Sequence, residues 1–313
     1  MIKKKIVTIV GAGVIGAGWA ARMLACGLIV NVYDPSVKAR KQLLSNTKTA
    51  LKSLQRLGLN KNAKLSNLKI YSDLRESLHS TTFVQENAPE NEKLKKKLLK
   101  DIDKLLPKNI IIASSSSGLL PTRIQSLCNY PERVCIGHPF NPVYLLPLVE
   151  LVSGKQTKKN TITRAKKFYE GIGMKPLIVK KEIEGYISDR LQEALWREAL
   201  HIIKDGVAST QDVDDAIVYG PGLRWSFMGV CLTFHLAGGQ TGMKHMLEQF
   251  GPALKLPWTK LKAPKLTSKL SNRVIEGTRV QSRGKSVSKL SDIRDEYLVA
   301  LQKLRKKFEK KLR

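Results

Sequence analysis

The opening of the chain constrains its fold more than any other stretch. A β-branched, apolar run from Lys5 to Val10 leads directly into a glycine-rich turn, Gly11-Ala12-Gly13-Val14-Ile15-Gly16. A helix-forming stretch and a second apolar run follow, and that run ends at Asp34, 18 residues beyond the last glycine. A strand, a glycine turn, a helix and a second strand that ends in an acid form the βαβ unit of doubly wound α/β proteins. We therefore predict a Rossmann-type, doubly wound sheet at the start of the chain.

Each glycine of this turn has a distinct physical role. Gly11 permits the tight turn, Gly13 lets the backbone approach a pyrophosphate, and Gly16 lets the helix pack closely on the sheet. Free N–H groups at the start of the helix favour phosphates, and a carboxylate at Asp34 would bind ribose hydroxyls and repel a 2′-phosphate. We predict NAD as the cofactor, with contacts from Gly11, Gly13, Val14, Ile15, Gly16 and Asp34. A glycine turn in another kind of doubly wound protein is the alternative.

Later apolar runs predict further strands, each followed by polar residues. The run Thr81-Thr82-Phe83-Val84-Gln85 precedes Glu90 and Lys93, and the run from Asn109 to Ala113 leads into four serines, Ser114-Ser115-Ser116-Ser117. Because loops at the carboxyl ends of parallel strands line the ligand crevice, these groups are candidates for the cofactor edge. Surface charges and a flexible serine loop are the alternatives.

The next strand, Val134-Cys135-Ile136-Gly137, delivers His138 at its end, and a lone carboxylate, Glu150, follows twelve positions later. Three prolines interrupt the segment between them, so it cannot form one regular helix and a turn can bring Glu150 back towards His138. An imidazole titrates near neutrality, and a buried carboxylate beside it can fix its tautomer and raise its basicity. We interpret this pair as the site of chemistry; a structural histidine and a glutamate that closes a strand are the alternative.

The pattern changes after the charged run Lys180-Lys181-Glu182. Helical periodicity dominates from there on, beginning with a long helix from Tyr186 to Asp205, and few strand signals remain. We predict two domains, a Rossmann domain at residues 1–180 and an all-helical domain at residues 181–313.

Two stretches of the second domain carry candidate binding groups. On the long helix, Asp189 and Trp196 fall on one face, although plain core packing of Trp196 is the preferred interpretation. The glycine-punctuated run Tyr219-Gly220-Pro221-Gly222-Leu223-Arg224-Trp225 predicts a loop. Its guanidinium can clamp a carboxylate in bidentate fashion or pair on the surface.

The chain is strongly basic, with 55 Lys+Arg against 26 Asp+Glu and a formal charge of +29. Such a charge can indicate an anionic partner such as nucleic acid or a membrane surface. However, the lysines are spread over predicted helix faces, and no nucleic-acid motif accompanies them. We expect a small-molecule substrate, with neither nucleic acid nor a membrane as partner. The four cysteines form no C-x-x-C pair, so we expect no metal site and reduced thiols in a cytoplasmic protein.

These residues resemble the 3-hydroxyacyl-CoA dehydrogenase superfamily over essentially the whole chain. The likeness rests on the glycine turn, the serine loop, and His138-Pro139-Phe140-Asn141-Pro142 with Leu148-Val149-Glu150. The resemblance implies that His138 is the catalytic base and that Glu150 is its partner. It also implies that Ser117 and Asn141 contact the substrate or the cofactor. It also implies a homodimer, with Glu90 and Lys93 near the nicotinamide half of NAD.

Within the superfamily, the second half of the chain resembles the carnitine dehydrogenases, as in the run Ala194-Leu195-Trp196-Arg197-Glu198-Ala199-Leu200. Where the acyl-CoA enzymes carry an asparagine on the first helix of the second domain, this chain has Asp189, as carnitine dehydrogenases do. The resemblance therefore implies NAD-dependent oxidation of L-carnitine to 3-dehydrocarnitine, with His138 as the base.

The charges of such a substrate suggest further contacts. A carboxylate at Asp189 suits a quaternary ammonium group, and Arg224 suits the carboxylate of the substrate. Ring faces can hold the ammonium group, and the candidate rings are Tyr144, Trp196 and Trp225. Alternatives are an L-gulonate 3-dehydrogenase, a 3-hydroxybutyryl-CoA dehydrogenase, and a basic binding protein that kept the dehydrogenase fold.

Overall fold

One mixed sheet forms the centre of the fold. The structure of the protein, a computed structural model, describes residues 5–58, 63–226, 229–238, 240, 243–260, 262, 265, 267–281 and 283–309. The strands are β1 Ile6–Val10, β2 Ile29–Tyr33, β3 Leu68–Tyr71, β4 Phe83–Glu86, β5 Ile111–Ser114, β6 Val134–Pro139, β7 Leu148–Ser153 and β8 Lys175–Val179. They are ordered β3-β2-β1-β4-β5-β6-β7-β8. Pairing is parallel from β3 through β6, antiparallel between β6 and β7, and parallel again between β7 and β8.

The helices fall into two groups along the chain. In the first part of the chain they are α1 Val14–Ala25, α2 Val37–Gln55, α3 Leu74–Ser77, α4 Glu92–Leu105, α5 Pro121–Ile124 and α6 Lys159–Gly171. In the second part they are α7 Ser188–Lys204, α8 Thr210–Val218, α9 Pro221–Trp225, α10 Val230–Ala237, α11 Met243–Phe250, α12 Ser268–Gln281 and α13 Val287–Glu309. The predicted Rossmann-type sheet followed by a helical region is confirmed.

The sheet separates two apolar clusters, because successive residues of a strand point to opposite faces. On β5, Ile111 and Ala113 join the cluster that contains Trp19 of α1 and Tyr169 of α6. Ile112 joins the other cluster, with residues of α4 and α5. Helices therefore cover both faces of the strands, which is why these strands are apolar throughout rather than alternating.

Two local predictions are wrong. The run from Tyr219 to Trp225 is not a loop, because Pro221 begins the short helix α9 at its first position, where the fixed φ of proline and its missing N–H cost nothing. Trp196 is not a core residue, because 48% of it is exposed.

The chain divides into two compact units. The first comprises Met1–Asp189 together with Arg294–Lys306, and the second comprises Arg190–Ile293 together with Lys307–Arg313. In the residues that the structure describes, the second unit consists of helices and their connections. The domain division at residues 180 and 181 stays a prediction.

Candidate active site

The glycine turn between β1 and α1 is closed on the protein side and open on the outer side. Gly11 has a φ of +103°, and a Cβ there would lie 2.7 Å from the carbonyl oxygen of Asn87. A Cβ on Gly16 would lie 1.9 Å from the carbonyl oxygen of Gly11. Around Gly13, by contrast, the described residues leave open space for 4 Å. The backbone can therefore be approached closely at Gly13, as a pyrophosphate requires.

The start of α1 and the end of β2 complete this half of the site. Gly13 is the N-cap residue of α1, and no described side chain caps the helix there, so the first N–H groups remain available to an anion. Asp34 Oδ2 accepts a hydrogen bond from the Ala12 N–H at 2.8 Å, and Oδ1 accepts one from the Ser36 N–H at 2.8 Å. Val14 is 65% exposed. These features fit a bound dinucleotide, with phosphates at the helix start, ribose at Asp34 and apolar cover from Val14.

The serine loop after β5 is organised by one carboxylate, Glu90. Its Oε1 accepts hydrogen bonds from the Ser116 hydroxyl at 2.5 Å and the Ser117 N–H at 3.0 Å. The N–H groups of Gly118 and Leu119 donate to the same oxygen at 3.1 and 3.4 Å. Burial alone would raise the pKa of Glu90, but the hydrogen bonds from the loop and the charge of Lys95 outweigh it and lower that pKa below its ordinary value. Glu90 is therefore an anion that orders the loop carrying half-buried Ser117.

Lys95, which sequence reasoning missed, is the lysine that contacts the carboxylates of Glu86 and Glu90. Its Nζ donates to Glu86 Oε1 and Oε2 at 2.9 and 3.1 Å and to the Ala88 carbonyl oxygen at 2.9 Å, and lies 3.7 Å from Glu90 Oε2. Lys93, two residues earlier, is exposed. The periodicity of α4 carried the signal, because Lys95 is in phase with buried Leu99 and Ile102 and so must face the sheet.

His138 and Glu150 face each other across two antiparallel strands. They are direct register partners on β6 and β7, and His138 Nδ1 lies 3.0 Å from Glu150 Oε2. Both side chains are buried. Burial would raise the pKa of Glu150, but hydrogen bonds from His138 and from the Ser188 and Ile187 backbone outweigh it and lower that pKa below the ordinary value. An ionised carboxylate only accepts hydrogen bonds, so Nδ1 must carry the proton of a neutral imidazole and Nε2 its lone pair.

The second oxygen of Glu150 anchors the start of α7. Oε1 accepts from the Ile187 N–H at 3.0 Å and the Ser188 N–H at 2.9 Å. This contact brings Asp189 next to the imidazole, with its Oδ2 3.7 Å from His138 Nε2. A carboxylate thus lies on each side of the ring, and the outer one faces the nitrogen that is free to accept a proton.

Tyr186 is a second residue that sequence reasoning missed. Its backbone has a φ of +45°, a conformation that a bulky residue rarely adopts. Its ring centroid lies 5.6 Å from that of His138, and its hydroxyl donates to the Leu119 carbonyl oxygen at 2.8 Å. Tyr186 therefore ties the serine loop to the imidazole. The sequence offers only the preceding Gly185 as a sign of an unusual backbone.

The other predicted residues of the first unit have different surroundings. Asn141 is exposed and follows Phe140, whose ring centroid lies 5.0 Å from that of His138. The Tyr144 hydroxyl donates to Asp295 Oδ2 at 2.5 Å, and its ring packs with a small cluster on α1 and α2. The structure thus places Asn141 next in the chain to a ring that lies near the imidazole, and it engages Tyr144 elsewhere.

The predicted residues of the second unit lie on two helices. Trp196 lies on α7 and is half exposed, whereas Arg224 and Trp225 lie on α9, the first exposed and the second half-buried. Across the residues that the structure describes, no helix has the length and apolar character to span a bilayer. Within the same ranges, no three His, Cys, Asp or Glu side chains are grouped as metal ligands would be.

Comparison with known proteins matches both parts of the chain to one family. Residues 6–183 match the family model of the 3-hydroxyacyl-CoA dehydrogenase NAD binding domain, and residues 185–277 match that of the 3-hydroxyacyl-CoA dehydrogenase C-terminal domain. The chain is 52% identical to an L-carnitine dehydrogenase of Bacillus cereus, over 97% of this chain and 93% of that protein. It is 50% identical to an L-carnitine dehydrogenase of Oceanobacillus iheyensis, over 95% and 97% of the two proteins.

Solved structures give a consistent result. The crystal structure of an NAD+-dependent dismutase, 5-formyl-3-hydroxy-2-methylpyridine 4-carboxylic acid 5-dehydrogenase, superposes with a TM-score of 0.81 at 25% identity, over 97% of this chain and 99% of that chain. The crystal structure of (S)-3-hydroxybutyryl-CoA dehydrogenase from Ralstonia eutropha superposes with a TM-score of 0.63 at 28% identity, over 80% and 89% of the two chains.

Proposed function

The chain belongs to the 3-hydroxyacyl-CoA dehydrogenase family and is an NAD-dependent hydroxy dehydrogenase, and from this premise we propose that it oxidises L-carnitine to 3-dehydrocarnitine. The observation that carries the proposal is identity of 50% or more to L-carnitine dehydrogenases over at least 95% of the chain. The carboxylate of Asp189, 3.7 Å from His138 Nε2, supports it, because a negative charge beside the reacting centre suits a quaternary ammonium substrate.

His138 is the proposed general base. Its Nδ1 is held by Glu150, so Nε2 can take the proton of the substrate hydroxyl while the carbinol hydrogen leaves as hydride. The C–O bond then becomes a carbonyl, and the imidazole carries the positive charge. The ionised carboxylate of Glu150 stabilises that charge and keeps the ring oriented, as the acidic partner of a catalytic histidine does.

NAD, when bound, accepts the hydride. The residues of the turn, from Gly11 to Gly16, together with Asp34, would hold its diphosphate and adenosine ribose. We propose that Glu90 and Lys95 act on the nicotinamide side through the serine loop, and that Ser117 and Asn141 contact the substrate or the nicotinamide. Lys93, being exposed on α4, has no part in this proposal.

The two charged ends of carnitine need different partners. A trimethylammonium group has no hydrogen-bond donors, so ring faces and a nearby carboxylate are the groups that attract it, and Asp189 supplies the carboxylate. Arg224 suits the carboxylate of the substrate, and Trp196 and Trp225 suit its ammonium group by their chemistry; these three roles stay predictions of the sequence. Tyr144 is left out of the proposed substrate site, because its hydroxyl is bonded to Asp295.

We also propose that the protein works as a homodimer in the cytoplasm. Several large apolar side chains of the second unit are more than half exposed, among them Tyr219, Leu223, Leu254 and Trp258. A second copy of the chain would bury such side chains in a homodimer interface. The four cysteines are free thiols, as a reducing compartment favours. Light scattering of the purified protein, giving the mass of one or two chains, tests the assembly.

A substrate panel tests the proposed reaction. The purified protein is mixed with NAD and, separately, L-carnitine, D-carnitine, L-gulonate or (S)-3-hydroxybutyryl-CoA, and NADH absorbance is followed. We expect the largest kcat/KM with L-carnitine. The second candidate, 3-hydroxybutyryl-CoA dehydrogenase, is favoured by the structural likeness at 28% identity, and a larger kcat/KM with the acyl-CoA would support it. Salt-sensitive nucleic-acid binding without NADH formation on any alcohol would instead favour a basic binding protein.

A further inference from the structure

The last helix, α13, lies beyond both family matches, the second of which ends at residue 277. It begins at Val287, and its segment Arg294–Lys306 belongs to the first unit. A segment outside the matched family domains that returns to the catalytic unit has no role in the proposed reaction so far. The contacts of α13 show whether this helix only packs on the first unit or also positions residues near His138.

Asp295 is the centre of those contacts. It is 5% exposed, and its Oδ2 accepts hydrogen bonds from the Tyr144 hydroxyl at 2.5 Å and the Ser53 hydroxyl at 3.2 Å. Its Oδ1 accepts from the Arg294 guanidinium at 2.8 and 3.0 Å. A carboxylate is buried at such a cost that it persists only when fully hydrogen-bonded. Asp295 is therefore a buried carboxylate that connects α13 to Tyr144 and Ser53, and not a solvated surface charge.

The same helix makes a second polar contact with the loop that carries Tyr144. Gln302 Nε2 donates to the carbonyl oxygen of Leu145. The loop itself is a tight turn, in which the Leu145 and Leu146 N–H groups donate to the Pro142 carbonyl oxygen at 2.9 and 2.8 Å. Val143 and Leu145 are fully buried beneath it. Two side chains of α13 thus hold two consecutive residues of one turn.

That turn connects the two strands of the active site. It leaves β6 just after His138, includes Asn141 and Pro142, and enters β7 just before Glu150. A shift of the turn would move Phe140 and Asn141 relative to the imidazole, whose ring centroid lies 5.0 Å from that of Phe140. Displacements of about 1 Å in a catalytic site can cost about 10²-fold in rate.

We propose that α13 is a clasp, formed by Asp295 and Gln302 on Tyr144 and Leu145, that positions the turn between His138 and Glu150 for catalysis. Asp295, Gln302 and Tyr144 are positioning residues, since they act through the turn and not on the substrate. The proposal rests on the proposed dehydrogenase reaction for its kinetic readout, whereas exchange of backbone amides in the turn reports on the clasp without any substrate.

The clasp is distinguishable from a helix that only adds stability. The next residue of α13, Glu296, pairs with Arg56 at 3.3 Å, with both side chains more than half exposed, and such pairs contribute little. Glu296→Ala is therefore a matched control, one residue from Asp295 on the same helix. A purely stabilising helix would let every variant keep its kcat well below its melting temperature.

The experiment uses the full-length chain with Asp295→Ala, Tyr144→Phe, Asp295→Asn and Glu296→Ala. We expect Asp295→Ala and Tyr144→Phe to speed hydrogen exchange at Leu145 and Leu146 and to lower kcat by about tenfold, with the KM for NAD unchanged. Asp295→Asn keeps one acceptor oxygen for Tyr144 and should recover part of the loss, and Glu296→Ala should match the wild type. Kinetics are measured with whichever alcohol the wild type oxidises best.

Two results would overturn the clasp. One is wild-type exchange in the turn for Tyr144→Phe, which removes a single oxygen and is the variant least able to unfold the chain. The other is faster exchange together with an unchanged kcat, which would leave α13 a stabilising element only. If L-carnitine is not oxidised but another 3-hydroxy acid is, the proposed substrate fails, and the same four variants still test the clasp with the other acid.

Discussion

The turn between β1 and α1 and the site around His138 lie in the same unit, but the first consists mainly of backbone groups and the second of side chains. The turn uses backbone: Gly11 and Gly16 are places where any Cβ would collide with a carbonyl oxygen, and Gly13 leaves open space. The site around His138 uses side chains from three separated segments, namely β6, β7 and the start of α7. The first is specified by a few consecutive residues, whereas the second exists only once the sheet has formed.

This difference has a chemical consequence. Backbone N–H groups and a helix start bind phosphates in a fixed geometry and need no titration. In the proposed reaction the imidazole must gain and lose a proton, and it lies between Glu150, a carboxylate with a lowered pKa, and a second carboxylate, Asp189. Substitutions in the glycine turn should therefore weaken cofactor binding, whereas substitutions around His138 should lower turnover.

The largest separation should come from His138→Ala. Because the variant lacks the proposed base, we expect kcat to fall by about 10²- to 10⁴-fold, while NADH binding, followed by its fluorescence, stays as in the wild type. His79→Ala, which removes an exposed imidazole whose Nδ1 lies 3.0 Å from the Ser80 hydroxyl, is the matched control and should keep full turnover. A His138→Ala enzyme with most of its turnover would remove His138 from the mechanism.

How far each region could be predicted follows from the same contrast. The glycine turn and Asp34 are local, so spacing alone located them, and the antiparallel pairing of His138 with Glu150 was within reach because a proline-rich turn joins them. Lys95 was missed in favour of Lys93, because the choice between them depends on which side of α4 faces the sheet. Tyr186 and Asp295 carried no local pattern. They meet their partners, Leu119 and Tyr144, across 67 and 151 residues.

The next largest effect is expected from Glu150→Gln. The amide cannot hold the imidazole in one tautomer as a carboxylate does, and the same change at the acidic partner of a catalytic histidine costs about 10⁴-fold in kcat, which is the upper bound of the expected loss. We expect a lower kcat with unchanged NADH affinity, so the defect stays in the side-chain region. A defect mainly in NADH affinity would contradict the division between the two regions.

Glu150→Gln also has a signature in stability against pH. The folded pKa of Glu150 is lowered below the ordinary 4.5, so its carboxylate favours the folded state above about pH 4.5, and this contribution is lost as the pH falls through the folded value. Denaturant unfolding at neutral pH and in acid should therefore show a larger loss of stability in the wild type than in Glu150→Gln. Equal losses in the two proteins would mean that Glu150 is not ionised by its partners in the fold.

Substitutions in the glycine turn should separate its effect on stability from its effect on NADH binding. Gly16→Ala forces a Cβ to within 1.9 Å of a carbonyl oxygen, and overpacking of this kind lowers the free energy of unfolding by about 1 to 3 kcal/mol. Gly13→Ala meets no described atom within 4 Å, so it should keep the stability and weaken NADH binding by about tenfold, since the methyl group occupies the approach of the pyrophosphate. Gly171→Ala, also with open space around its Cβ, is the control for both measurements.

The smallest effect, and the finest test of the side-chain region, is expected from Tyr186→Phe. The variant keeps the ring beside His138 and removes only the hydroxyl that donates to Leu119 at 2.8 Å, a bond that contributes about 0.5 to 1.5 kcal/mol. If Tyr186 ties the serine loop to the imidazole, kcat should fall by less than about tenfold and NADH affinity should hold. Tyr130→Phe, at an exposed ring between α5 and β6, controls for loss of a hydroxyl. A Tyr186→Phe enzyme that loses stability but not kcat would make the hydroxyl a structural contact, and would leave Glu90 as the group that orders the serine loop.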